Sequence, residues 1–229
     1  MGTADAFDGF HDGTLSFLHD LGAQNDKVWF DANRDRYKTE WLDPAVAFVA
    51  ALSELLLALD PNLHAEPRVN GSIFRINRDV RFSKDKTPYK DRLDLWFWGR
   101  GGRKAGPGCY FRLTTEGVIV GAGMHGFDKN HLTRYRDAAA GPDAGVLAKL
   151  VATTESKGYH VGGVGLKTVP RGYPADHPHA DLLRHKALFA DVETDHPDCL
   201  GRADFLDWCI EHWRGVHPLV QWLEDNVNG

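Results

Sequence analysis

The chain has 229 residues, 42% of them hydrophobic and 26% charged, and a formal net charge of −5. This is an ordinary balance for a soluble globular protein with a substantial core, organised as one large domain. Its three cysteines (Cys109, Cys199, Cys209) are odd in number and form no C-x-x-C pair, which argues against a disulfide framework and for a reducing, cytoplasmic setting. The opening MGTADAFDGF has no basic region followed by an apolar core, so no signal peptide is read, and Ala6 breaks the myristoylation pattern. The most apolar stretch, Ala45 to Leu59, is interrupted by Ser53 and Glu54 and falls short of a bilayer span, so no membrane association is expected.

The first sixty residues read as helices. Asp12 is placed to cap one carrying Leu15, Phe17, Leu18 and Leu21, and Asn25 or Asp26 to cap a second with Trp29, Phe30, Asn33 and Tyr37. Asp43-Pro44 has the cap-then-first-turn signature, opening a helix with Val46, Val49, Leu52, Leu56 and Leu59 on one stripe. Pro61 ends it. Strands are expected next: Ile73 to Phe82 alternates, as do Leu93, Leu95 and Phe97 with Asp94, Trp96 and Trp98. Gly99 to Gly108 reads as a mobile loop, and Thr115-Glu116-Gly117 as the turn of a hairpin. Helices return over Lys129 to Ala139, capped by Asp128, and from Pro142 to Val151. Arg171 to His179 is a loop leading into Ala180 to His185, and Arg202 to Arg214 is an aromatic helix broken near Gly215 and Pro218. The expected fold class is α+β: a mostly antiparallel sheet (residues 68–125) between a helical start (10–60) and a mixed helical end (128–227).

The most informative segment is FRINRDVRFSKDKTPYK, Phe74 to Lys90. From Arg75 to Arg92 seven Lys/Arg face three Asp, a local charge of +4, which leaves −9 on the rest of the chain. If Ile73 to Ser83 is extended, Arg75, Asn77, Asp79, Arg81 and Ser83 share one face at a spacing of about 6.5–7 Å. Arginine forks suit phosphate or carboxylate. Thr87, held extended before Pro88, would fix the direction of Tyr89 and Lys90. One reading is an anion pocket in which Arg75, Arg78, Arg81, Lys84, Lys86 and Lys90 bind, Ser83 contributes a hydroxyl, and Asp79 or Tyr89 transfers protons or orients. Another is a latch in which Asp79 pairs Arg75 and Arg81. A third is an exposed stripe for an acidic partner or nucleic acid, the latter disfavoured by overall acidity.

The same segment resembles the signature of a widespread family of conserved hypothetical proteins, a domain of unknown function, whose pattern is close to F-R-I-x-R-D-x-R-F-S-K-D-K-T-P-Y-K. Phe10, Phe17, Leu18, Asn25, Trp29, Phe30, Asn33 and Tyr37 are similar to its opening helices, with Gln24 in place of a frequent second Asn. Gly121 to Met124, Tyr135-Arg136, Arg171-Gly172, His177-Pro178 and Leu183 to Lys186 are similar to later parts. The resemblance implies no activity, substrate or cofactor, but makes a functional pocket more credible than composition does.

Gly121 to Gly126 satisfies G-x-G-x-x-G, but the strand before it is a hairpin's return arm and no acidic residue ends a second strand beyond it, so the glycines read as a bulge and turn. His177, His179 and His185, or His125 and His160, match no metal-ligand spacing, and no metal or cofactor is expected. Arg171 and His177, with Arg184 and Lys186, form a second basic cluster that would extend the anion site. The function expected is therefore binding of a small phosphorylated or carboxylated ligand.

Overall fold

The computed structural model of the chain describes residues 6–228. Helix α1 (Asp12–Ala23) buries Thr14, Phe17, Leu18 and Leu21; His11 occupies its cap position, while Asp12 lies in the first turn, where its charge favours the helix N-terminus. Asp26 caps α2 (Lys27–Ala32) by accepting the Trp29 N–H. From α3 (Arg34–Arg36) the chain stays helical through a π turn (Tyr37–Leu42) into α4 (Asp43–Leu59). Asp43 is therefore no cap: Leu42 before it is helical, and the Asp43 carboxylate pairs with Lys38 at 2.8 Å. The wider π turn carries Trp41 into the core, stacked on Tyr37 at 5.3 Å.

Joined in this way, Arg34–Leu59 is long and apolar enough to cross a membrane by length and composition, unlike the shorter stretch read from sequence. Its stripe Ala45, Phe48, Val49, Leu52 and Leu56 is instead fully buried. Phe48 sits at the centre of that packing, with the rings of Phe7, Phe10, Phe111 and Phe205 at 4.9–5.7 Å.

Strands β1 (Leu93–Trp98), β2 (Gly108–Leu113), β3 (Gly117–Met124), β4 (His160–Val164) and β5 (His185–Asp195) form an antiparallel sheet in the order β1-β2-β3-β5-β4, and with the helices they make the fold α+β. Leu93, Leu95 and Phe97 of β1 and Cys109, Phe111 and Leu113 of β2 are buried on one face. Asp94, Trp96, Tyr110 and Arg112 alternate with them and are half-buried. Between β3 and α5 (Lys129–Ala140) lies the G-x-G-x-x-G run, mostly inside the strand. Gly123 has φ +138°, and a Cβ there would stand 2.4 Å from the Leu188 carbonyl oxygen, so this glycine serves close strand approach. Asp128 caps α5 through the N–H groups of Asn130 and His131.

Helix α6 (Ala144–Ser156) begins after Asp143, and α7 (Ala180–Leu183) is a single turn. Two late elements differ from expectation. The helical reading misses β5, which follows α7 directly and lies between β3 and β4. Helix α8 (Phe205–Leu223) runs unbroken through Gly215 and Pro218. A Cβ at Gly215 would stand 2.2 Å from the Tyr159 hydroxyl, so that glycine admits a neighbour rather than ending a helix.

The chain divides into two compact units, one comprising the described residues up to Phe97 with Tyr110–Ile119 and Glu193–Ile210, the other Trp98–Cys109, Val120–Val192 and the residues from Glu211. The first holds the aromatic cluster of Phe48. In the second, Trp213 donates Nε1–H to the Gly121 carbonyl at 3.1 Å and Tyr135 donates its hydroxyl to Leu182 at 3.0 Å. The loop before β2 is tied down there: Glu224 accepts the Arg100 N–H and Asn228 donates to the Arg100 carbonyl. All three cysteines are free thiols, Cys109 and Cys209 buried.

Candidate functional site

The basic segment lies in the first unit and is not the strand its alternation predicts. Ile73 bridges Leu95 of β1 and Asn77 bridges Tyr89, but no ladder spans residues 73–83. The apolar positions explain why: Ile76 is 3% exposed, whereas Phe74 is 37% and Phe82 is 96% exposed, so alternate residues do not share a buried face. The chain instead forms an irregular hairpin. At its base Arg78 N–H reaches Pro88 O and Lys90 N–H reaches Ile76 O, both at 2.8 Å.

Above that base the cations are largely engaged locally. Arg81 donates Nε and Nη2 to Asp79 at 2.9 and 2.7 Å. Arg78 bonds Asp85 and the Thr87 hydroxyl, and Lys86 donates to Val80 O at 2.9 Å. Two carboxyls are held down to a pKa of about 2: Asp79 by the Arg81 side-chain bond first, Asp85 by the Thr87 N–H first and then by Arg78. Both are ionised and weakly basic at neutral pH, a poor setting for proton abstraction by Asp79. Carbon-detected NMR titration should place both midpoints near 2, well under free aspartate. Because these folded-state values are depressed, the bracing is complete above the unfolded aspartate pKa and is lost as pH falls through about 2.

Other predicted site residues are distributed differently. Arg75 and Lys84 are exposed, and among the described residues neither makes a hydrogen bond or ion pair. Ser83 N–H closes a turn onto Val80 O. Tyr89 is 7% exposed and stacked on Phe30 at 4.1 Å, facing the core. Arg171 and His177 belong to the second unit, ahead of α7, where Arg171 is exposed and His177 Nδ1 accepts the His179 N–H. His125 packs on Phe189, His160 pairs with Asp191 and His185 bonds Ala187 O; among the described residues no three His, Cys, Asp or Glu converge as metal ligands.

The cations converge elsewhere, on Asp94. This β1 carboxylate, 13% exposed, has Lys90 Nζ at 3.2 Å, Arg92 Nε at 3.2 Å and Arg112 Nε at 2.7 Å. Burial pushes the Asp94 carboxyl up, but the Arg112 bond and the charges of Arg112, Arg92 and Lys90 outweigh it and hold it below the usual range. Lys90 Nζ also stands over the Phe74 ring at 5.0 Å. At Asp94 itself three cations meet one acid. Both guanidiniums use Nε on Asp94, and among the described residues their Nη groups make no hydrogen bond.

A cavity of about 450 Å³ begins at Asp91 and Arg92, passes Arg112, Thr114 and Thr115, and ends on Glu193–Asp195 of β5; Glu116 also lines it. Arg92 enters the sequence reading only as part of the charge count, not as a site residue, and Asp94 and Arg112 escape it because the run is counted only to residue 92 and Arg112 lies on another strand. The signal available was the alternation of Lys90, Arg92 and Asp94 on one face. No curated protein matches the chain. The family model described as a conserved hypothetical protein, DUF2461, matches residues 13–222, and the chain belongs to that family.

Proposed function

We propose that this protein binds a small ligand with one phosphate or carboxylate group through the free Nη donors of Arg92 and Arg112. One observation carries the proposal: Asp94 fixes both guanidiniums by Nε and leaves their forks unengaged at the edge of a cavity. Planar forks held in place match a two-oxygen anion. Asp91, Glu116, Glu193 and Asp195 line the same cavity and would repel a polyanion, so a small ligand suits it better than nucleic acid. Binding without turnover fits the acid–base candidates, since Asp79 is ion-paired and Tyr89 is buried. The free thiols are compatible with a reducing cytoplasm.

A thermal-shift screen with inorganic phosphate, phosphorylated metabolites, mononucleotides and small carboxylates tests this. A ligand at a hundredfold its Kd should stabilise by about 2.7 kcal/mol, raising Tm by roughly 5–10 °C in a chain of this size. Arg112→Ala and Arg92→Ala should lose the shift, and Arg112→Lys most of it, because an ammonium cannot reproduce the fork. Arg81→Ala should keep it. A shift abolished by Arg81→Ala but retained by Arg112→Ala would move the site to the hairpin tip.

A further inference from the structure

The hairpin tip, unused by the anion site, has a chemistry of its own. Phe82 is 96% exposed, the most exposed of the large apolar side chains described. It is not on a loose loop, since the Asp79–Arg81 pair, the Asp85–Arg78–Thr87 cluster and the Lys86 bond to Val80 O brace the turn that presents it. From Arg75 to Thr87 five cations face two acids, a net of +3, which leaves −8 on the rest of the chain. A rigidly displayed aromatic ringed by positive charge has the character of an interface anchor.

We propose that this tip docks into a second copy of the chain, placing Phe82 in the cavity lined by Ala6, Phe7, Asp8, Gly9, His11, Thr39, Asp43, Pro44, Val46 and Ala47. The complementarity is twofold. The cavity is about 360 Å³ with walls from Phe7, Pro44, Val46 and Ala47, and an apolar cavity of roughly 150 Å³ already accommodates benzene. Asp8 and Asp43 also line it, with side chains 79% and 51% exposed; His11 bonds Oδ1 of Asp8 and Lys38 bonds Oδ2 of Asp43, which leaves the second oxygen of each open to Lys84 of the tip. The charge of −8 on the remaining surface disfavours a long polyanion or an anionic bilayer as occupant, whereas one aromatic with a few cations suits a small acidic socket. Tip and socket are different surfaces, so the contact is head-to-tail and links copies into chains or a ring. A single tip buries less than the roughly 1,000 Å² of a stable interface, so the association is weak and concentration-dependent.

Sedimentation velocity and light scattering on the full chain decide the matter. The wild type should rise from its 25.5 kDa monomer mass to at least twice that mass with increasing concentration, and fall back with added salt. Phe82→Ser, which keeps the socket, and Ala47→Trp, which fills it, should each stay monomeric while melting like the wild type; Val46→Arg serves as the blocking variant if Ala47→Trp does not fold. An equimolar mixture of tip-defective and socket-blocked chains should form 1:1 dimers and nothing larger, since only one productive contact remains. A wild type that stays monomeric at its highest soluble concentration overturns the proposal. So does assembly by Phe82→Ser, or a mixture that stays monomeric while the wild type assembles.

Discussion

Asp94→Asn should lower the melting temperature at pH 7 by roughly 3–12 °C. The substitution keeps the shape but removes the negative charge to which Lys90, Arg92 and Arg112 point, leaving three cations at a half-buried strand position. The cations left behind are 18–41% exposed and partly solvated, so the loss is that of charged hydrogen bonds, about 1.5–3 kcal/mol, and each kcal/mol is worth about 2–4 °C at this chain length. The pH dependence separates charge from packing. Asp94 has a depressed folded-state pKa, so its stabilisation is present above the unfolded aspartate value and is lost as pH falls. Wild-type and Asn melting temperatures should therefore converge as the buffer is acidified and diverge towards neutrality. Equal melting at pH 7 would mean the cluster is solvated well enough to need no anion. The same variant should weaken the ligand-induced shift, because the guanidinium forks lose the group that aims them.

The elements legible in the sequence are those whose signals are local. Asp26, one of the two caps read for α2, and Asp128 cap their helices, Thr114 N–H closes the predicted hairpin on Gly117, and the alternation of Leu93, Leu95 and Phe97 faces the core. Where context overrides local signal, the reading fails. In β5, Ala187, Leu188 and Ala190 are all buried, so an interior strand with neighbours on both edges has no clean period of two. Pro218 costs α8 one backbone bond, yet Val216, Leu219, Val220 and Leu223 on both sides of it are buried, and their packing holds the helix together. In Ile73 to Ser83 the alternation is present but lacks a partner strand, and Asp79–Arg81 pairing two residues apart braces a turn instead. The site had the same difficulty. Lys90, Arg92 and Asp94 occupy alternate positions and share one face, but their convergence with Arg112 depends on the pairing of two strands.

Asn25→Ala should cost about 2–4 kcal/mol and loosen the hairpin at its root. Asn25, between α1 and α2, donates Nδ2–H to Tyr89 O and accepts the Tyr89 N–H, both at 3.0 Å. One side-chain amide thus stands in for a strand neighbour, satisfying both backbone groups of a residue that is 7% exposed and stacked on Phe30. Alanine leaves a buried donor and a buried acceptor without partners, each worth about 1–3 kcal/mol, partly relieved by water at the loop edge. Hydrogen exchange gives the sharper readout. Protection of the Tyr89 and Lys90 amides should fall by a factor of about 30 or more, while amides of α5 and β4 in the other unit change little. Asn25→Asp should behave alike, since its carboxylate meets the Tyr89 carbonyl where a donor is needed. If Tyr89 protection survives both changes, Phe30 stacking alone holds the hairpin root, and the Asn25 amide is incidental to how the basic tip is presented.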